Sequence, residues 1–490
     1  MRSLDARTEA PSSTPTSVGF CTYIKRAVIE AIGTFDVEAF GRGYGEENDF
    51  SLRAQAGGWT DLIAADVFVR HVGAASFGHE RRERIAAAMK IMSARHPHYL
   101  PNVHRYIEDD PVRPLRAVLD LARLKRLKRT RNILAISHGR GGGTEQHLDE
   151  EFARLDDDAA MFRMAIDPMR PSAVRHFHSD VPDVPNLPSL DITSDVEAIL
   201  SLWDELEISE IHIHHIADFP ATGAADLLAL LQRSARPWQV TIHDYLAICP
   251  RINLVDEDGR YCGEPSPEGC RVCLKTRRSE FGEPDIDVWR DAHGALLRGA
   301  ARRIVPSADA ATRLRRYYPE LVFDVVPHDA AKSASSPARR KHDGAPLRVA
   351  ALGAISTIKG FDVILTCAEE ARAAKRDLRY LVVGYTEADS RAHAAGIRTT
   401  GRYENGEALA RLAEEKVDLI FLTSRWPETY SYTLSIALES GLPIVTFDIG
   451  AFRGRLAASG ARHALLPLDA SPAEINQTIA TLATAPVRAP

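Results

Sequence analysis

The chain is expected to be an α/β protein built from two doubly wound, Rossmann-like lobes, with a smaller mixed segment in front. Three observations carry that expectation. The 490 residues exceed one ordinary core, and at roughly 150 residues per domain they suggest about three domains. Apolar residues make up 45% and charged residues 26%, the composition of a soluble globular enzyme. Short β-rich runs alternate with potentially helical stretches, twice over, with a polar break between. That pattern builds parallel sheets covered by helices on both faces.

Composition also excludes classes. Lys and Arg total 61 against 67 Asp and Glu, a net charge of −6. A general nucleic-acid binder is usually basic, so no nucleic-acid partner is expected. No window approaches 18 uninterrupted apolar residues, so no membrane-spanning helix is expected. The opening MRSLDARTEAPSS carries charges and no apolar core, unlike a secretory signal. Six cysteines do not make a disulfide scaffold, and a cytoplasmic, reduced protein is the default.

Residues 1–17 are rich in Ser, Thr and Pro and are expected to be disordered. Residues 18–105 mix helical and strand-like pieces. Residues 106–131 form a linker whose stretch RPLRAVLDLARLKRLKRTR spaces Leu115, Val118, Leu119, Leu121, Leu124 and Leu127 as a helix does, with eight basic residues and one acid, Asp120. Such a basic amphipathic helix either lies solvated on its neighbours or touches an anionic membrane surface at the inner face, within 111–131. A first lobe then spans 132–330, with strand-like runs NILAISH, IHIHHI (211–216), WQVTIHDY (238–245) and RIVPS (303–307). The polar stretch 329–346 breaks the pattern. A second lobe, 347–490, restarts it with LRVAALGAI, LRYLVVG, VDLIFLTS and LPIVTFD.

Two such lobes suggest a ligand in the cleft between them, beyond the carboxyl ends of the strands. Gly141, Gly142 and Gly143 follow the first strand of the first lobe. They form either a plain tight turn or a backbone approach to a ligand at a helix start. In the second lobe, Ser431 and Thr433 can cap a helix whose free N–H groups would hold a diphosphate. Lys359, after the first strand of that lobe, is either a surface lysine or a counter-charge for phosphate.

On GGGTEQH, IHDY, IKGFD and PETYSYTLSIALESGLP, residues 132–490 resemble a group-1 (family 4) retaining glycosyltransferase of the two-lobed GT-B type. The resemblance implies transfer of a sugar from a nucleotide-sugar donor to a polysaccharide or glycolipid acceptor, without a catalytic metal. It places Glu428 near the transferred sugar, Lys359 on the diphosphate and His243 facing the acceptor. A structural histidine at a strand end is the plainer reading of His243. Two positions depart from the family pattern. The second acid of the Glu-x7-Glu pair falls on Ile436, with Glu439 about one helical turn off, and the arginine before Lys359 is Ala354. The implied chemistry is a front-face displacement in which Lys359 and the helix start stabilise the departing diphosphate. Trp203, Trp238 and Tyr245 are candidate rings along the acceptor path. The competing readings are a catalytically impaired binding or scaffold protein, favoured by Ile436 and Ala354, and a different α/β enzyme of nucleotide or phosphate chemistry.

Cys249, Cys262, Cys270 and Cys273 are spaced C-x12-C-x7-C-x2-C. A structural zinc held by four thiolates, free thiols and a disulfide are all compatible with that spacing. Cys21 and Cys367 are most simply small buried residues. In the first hundred residues, Glu46, Glu47 and Asp49 make an acidic cluster, and His71 follows a strand-like run. A solvated acidic turn is the plain reading. The segment also resembles the C-terminal half of a family-2 inverting glycosyltransferase of GT-A type. That resemblance makes Glu46 or Glu47 the base, Asp49 its support and His71 a ligand of the donor's metal. Its nucleotide-binding half has no counterpart here, so this segment is expected to be inactive.

Overall fold

A computed structural model of the chain describes residues 12–484, apart from 42–43, 65–66, 68, 71–80, 257–258 and 329–344. It divides into two compact units, Met1–Arg126 with Val181–Pro188, and Leu127–Asp180 with Ser189–Pro490.

The first unit is helical among its described residues, with helices Arg26–Ile32, Val37–Phe40, Glu46–Ala56, Arg81–Arg95, Tyr99–Asp109 and Arg113–Lys125. The strand-like pieces expected in 18–105 form no strand among these residues; Leu62 makes only an isolated bridge to Ser13. Val28, Phe50 and Ala54 form a small core with Ile24, Ile29, Ile32 and Trp59. Residues 12–17, expected to be disordered, are tied down instead. Ser17 bonds the Ser51 hydroxyl through both its N–H and its own hydroxyl, and Gln55 donates to the Pro15 carbonyl.

The basic helix Arg113–Lys125 buries Ala117, Leu121 and Leu124. Its one acid, Asp120, is buried and accepts from both the N–H and the side-chain amide of Asn186 (3.0 and 2.9 Å) and from Arg123 (2.9 Å). Arg116 donates to Asn186 and to Asp110. Part of the helix's positive charge is therefore taken up by local pairs. Among the described residues no helix is long and apolar enough to cross a membrane.

The second unit holds two sheets. The first contains β1 (Arg131–Ile136), β2 (Ala159–Asp167), β3 (Arg170–His178), β4 (Leu190–Asp191), β5 (Ile208–Ile213), β6 (Trp238–Thr241), β7 (Arg302–Val305) and β8 (Asp324–Val325). Their order is β4-β3-β2-β1-β5-β6-β7-β8. Pairing is parallel except at β2–β3 and β3–β4. The second sheet contains β9 (Leu347–Ile355), β10 (Leu378–Thr386), β11 (Arg398–Thr399), β12 (Leu419–Leu422), β13 (Ile444–Phe447) and β14 (His463–Leu466). It is parallel throughout, in the order β11-β10-β9-β12-β13-β14. These are two Rossmann-like lobes. Strands buried on both faces need continuous apolar runs, and Ile133–Ile136 and Leu419–Leu422 supply them, every residue buried. Strand order reverses between β1 and β5 in one lobe and between β9 and β12 in the other. Ligands of such sheets gather at those points, beyond the strand carboxyl ends.

Candidate functional site

Lys359 lies in the loop after β9. The next residue, Gly360, has φ 80°, and a Cβ there would stand 2.1 Å from the Thr423 carbonyl oxygen. Only glycine permits that approach, which draws the loop after β9 against the loop after β12. The Thr423 hydroxyl completes the contact by donating to the Lys359 carbonyl.

The second loop carries Glu428, which is buried. Its carboxylate accepts from Lys359 Nζ (2.6 Å) and from the Ser424 hydroxyl (2.5 Å). Burial pushes its pKa up, but Lys359 and the two serines Ser424 and Ser431 outweigh it and hold the carboxyl below its usual range. Gly450 supports this loop from behind, since a Cβ there would lie 2.7 Å from the Glu428 nitrogen.

The loop ends at Ser431, whose φ of 78° and ψ of 96° are sparsely populated by any residue but glycine. Such a conformation costs about 1–3 kcal/mol. Ser431 Oγ accepts from the Leu434 N–H (3.3 Å) and so caps the helix Tyr432–Ser440. Arg455 braces the turn by donating to the Tyr430 and Ser431 carbonyls (3.0 and 2.7 Å) and to the Ser435 hydroxyl (2.8 Å).

The first lobe supplies the facing wall. Gly141 and Gly142 have φ of 71° and 78° and lead into the helix Gly143–Ala153. A Cβ on Gly143 would meet the Tyr432 ring at 3.3 Å, so the two helix starts approach across the cleft. His243 and Asp244 follow β6, and the Thr429 hydroxyl donates to the His243 carbonyl (2.5 Å), joining the lobes. Asn253 and His328 complete the wall. The cleft encloses about 310 Å³ and is lined by Gly143, Thr144, His243, Asp244, Asn253 and His328 on one side, and by Lys359, Trp426 and residues 428–433 on the other. Burial, and then the neighbouring His214, His328, His147 and His215, keep the His243 ring well below its ordinary pKa and therefore neutral. Two helix N-termini and a lysine facing one cavity make a site for an anion such as a diphosphate.

Of the residues expected from sequence, Gly143, His243, Lys359, Glu428, Ser431 and Thr433 meet in this cleft. Gly141 and Gly142 shape the turn before it. Ile436 packs against the apolar core of the second lobe, so the second acid of the family pattern is missing and its side chain is turned inward. Ala354 is exposed on β9, and Glu439 lies at the far end of the helix from Ser431. The candidate acceptor rings are corrected. Trp203 is buried and donates to His176, Trp238 donates to the Leu296 carbonyl and Tyr245 is buried. The rings in the cleft wall are Trp426, Tyr430 and Tyr432.

No disulfide joins the four cysteines, and the groups of ligand atoms gathered within 4.8 Å among the described residues include no cysteine. The thiols are near enough to act on one another, since, after burial, Cys262, Cys270 and Cys273 all raise the Cys249 pKa. Local hydrogen bonds reach two of the sulfurs. Cys249 accepts from the Arg251 N–H, while Cys270 accepts from Arg290 and donates to the Pro265 carbonyl. Burial pushes the Cys249 thiol up to about 12.

In the first unit, Glu46, Glu47 and Asp49 form the first turn of the helix Glu46–Ala56, where the helix dipole favours carboxylates. Asp49 is a buried hub contacted by Arg53 (2.8 Å), His96 (2.9 Å) and Arg95 (3.4 Å). Burial raises the Glu46 pKa, while Glu47 bonds the Gly45 N–H. His71 lies outside the described residues.

Sequence reasoning missed His147, His214 and His328, which pack around His243. The one local signal was the run IHIHHI, read only as a strand.

Residues 346–485 match the family model described as "Glycosyl transferases group 1", a span that covers the second lobe. No curated protein matches the chain. Among solved structures the chain is similar to Anabaena HepE in complex with UDP, at 15% identity over 72% of this chain and 93% of that one, with a TM-score of 0.45. It is similar to the lipopolysaccharide outer core galactosyltransferase WaaB in its apo form, at 10% identity over 72% and 90%, TM-score 0.45. It is also similar to TarM, at 9% identity over 72% and 92%, TM-score 0.45.

Proposed function

We propose that the chain is a glycosyltransferase that takes a nucleotide-sugar donor in the cleft and passes its sugar to a hydroxyl of a polysaccharide or glycolipid acceptor, with retention at the anomeric carbon. The observation that carries this reading is the Lys359–Glu428 pair, 2.6 Å apart, set at the start of the helix Tyr432–Ser440 and opposite the start of the helix Gly143–Ala153. The group 1 match of the second lobe supports it.

In the reaction, the bond from the anomeric carbon to the donor phosphate oxygen breaks and a bond to the acceptor oxygen forms on the same face. The acceptor proton passes to the leaving phosphate oxygen. Lys359 and the N–H groups after Ser431 stabilise the charge that builds on the diphosphate, and they are already oriented before the reaction begins. Glu428, kept ionised, sits beside the sugar. Trp426, Tyr430 and Tyr432 give that sugar and its acceptor apolar walls.

Calorimetric titration with UDP, other nucleoside diphosphates and their sugar conjugates tests the reading. Saturable binding is expected, weakened about 10- to 100-fold in Lys359→Ala, the equivalent of a lost charged hydrogen bond of about 1.5–3 kcal/mol. NMR of the product then reports the anomeric configuration. A folded protein that binds none of these donors would transfer the weight to the impaired binding-protein reading. Restoring acid and arginine by Ile436→Glu and Ala354→Arg would then be the next step.

A further inference from the structure

Beneath one wall of the cleft, three imidazoles arrive from three elements. His147 lies on the helix Gly143–Ala153, His214 directly follows β5 and His243 follows β6. One nitrogen from each ring lies within 4.8 Å of the other two. His214 Nδ1 stands 3.2 Å from His243 Nε2. Buried His147 Nδ1 has no hydrogen-bond partner, and neither does His214 Nε2. Leaving buried polar atoms unsatisfied is costly, and His147 Nδ1 belongs to a ring of this group. The spacing has a simple interpretation. With Zn–N bonds of about 2.0–2.1 Å, two nitrogens of a tetrahedral site stand about 3.3 Å apart.

The surroundings suit a cation. Glu151 Oε2 lies 3.6 Å from His147 Nε2 and 3.4 Å from His214 Nε2, while Oε1 is 2.8 Å from His212 Nδ1. A carboxylate behind a ligating imidazole fixes the tautomer and turns the other nitrogen toward the metal. With Glu151 on the Nε2 side of His147 and His214, their Nδ1 atoms are left to bind. His328 stacks at 4.1 Å on His147 and 5.0 Å on His243, but its nitrogens do not join the group.

We propose that His147, His214 and His243 form a three-imidazole site for a zinc-class divalent cation, with Glu151 orienting two of the rings. The ion would tie the helix Gly143–Ala153 to the ends of β5 and β6 and so fix the first-lobe wall. It would also engage His243 Nε2, which gives that ring a positioning role. The site does not depend on the identity of the donor.

The test is a metal count on the full-length protein, stripped with dipicolinate, re-equilibrated with Zn²⁺ and then with Co²⁺. One ion per chain is expected, with a Co²⁺ spectrum of nitrogen and oxygen ligation and no thiolate charge transfer. The ion should persist in the Cys270→Ser/Cys273→Ser variant and be lost from His147→Ala and His214→Ala. Glu151→Gln should weaken it about 10- to 100-fold. Failure of the folded wild type to retain an ion, retention in both histidine variants, or a thiolate spectrum would overturn the proposal. Should a histidine variant misfold, the wild-type Co²⁺ spectrum decides alone. UDP calorimetry on the stripped protein separates this outcome from failure of the glycosyltransferase reading.

Discussion

Glu428 is a buried carboxylate whose charge is kept by a lysine and two hydroxyls, and Lys359 in turn leans over the Trp426 ring at 5.4 Å. Glu428→Gln keeps the shape and removes the charge. Transfer is expected to fall by about 10- to 100-fold or more, as for a lost charged hydrogen bond, with the fold intact by circular dichroism. Measuring turnover and donor affinity separately checks this, and an unchanged turnover would remove Glu428 from the mechanism. Two buried histidines that do not line the cleft make a second prediction. His176 accepts from the Trp203 indole, and His293 faces the Trp289 carbonyl. Burial pushes each down to about 4 from an ordinary 6.5. The folded state therefore binds fewer protons than the unfolded chain between those values. Their stabilisation is complete above pH 6.5 and is lost as pH falls toward 4. The urea midpoint should drop between pH 7.5 and pH 5, and the drop should shrink in His176→Gln.

Elements rather than single residues set the cleft, and the two loops that meet at Gly360 show how. A methyl group there would run into the Thr423 carbonyl, on a backbone of positive φ. Gly360→Ala is expected to cost about 2–4 kcal/mol in urea unfolding, the range of severe strain and overpacking, and to weaken donor binding because Lys359 and Glu428 move apart. Wild-type stability in that variant would show that the loops do not need the close approach. The same scale explains what the sequence made legible. Runs such as NILAI and LIFL announce parallel strands because burial on both faces is written locally. Lys359 was legible through IKGFD, and Glu428 and Ser431 through PETYSYT, each a short contiguous motif. His147, His214 and His328 were not, because only the β1-β5-β6 order, a non-local outcome, brings them around His243. Residues 12–17 misled by composition, since Ser17 and Pro15 owe their order to Ser51 and Gln55 far along the chain. The cysteine spacing permits a zinc shell without fixing where the sulfurs point.

At the scale of the second unit, the lobes meet through Thr429 and the His243 carbonyl and through Tyr432 against Gly143. A donor held by both walls stabilises both lobes. At a concentration of 100 times its Kd, a ligand adds about 2.7 kcal/mol, so UDP should raise the thermal midpoint of this unit in calorimetry; a midpoint indifferent to saturating UDP would contradict binding to the native state. The first unit invites a different consequence. It is made of two stretches of chain, because Val181–Pro188 belongs to it and Asp120 holds Asn186 through two hydrogen bonds. A unit made of one stretch is separated by one cut in the gene; this one is not. A cut after Arg126 strands eight residues without their partner helix, and leaves the buried Asp120 carboxylate with Arg123 but without its two bonds to Asn186. The first unit is therefore completed by the stretch between β3 and β4, and the two must be kept together for it to fold as it is seen here.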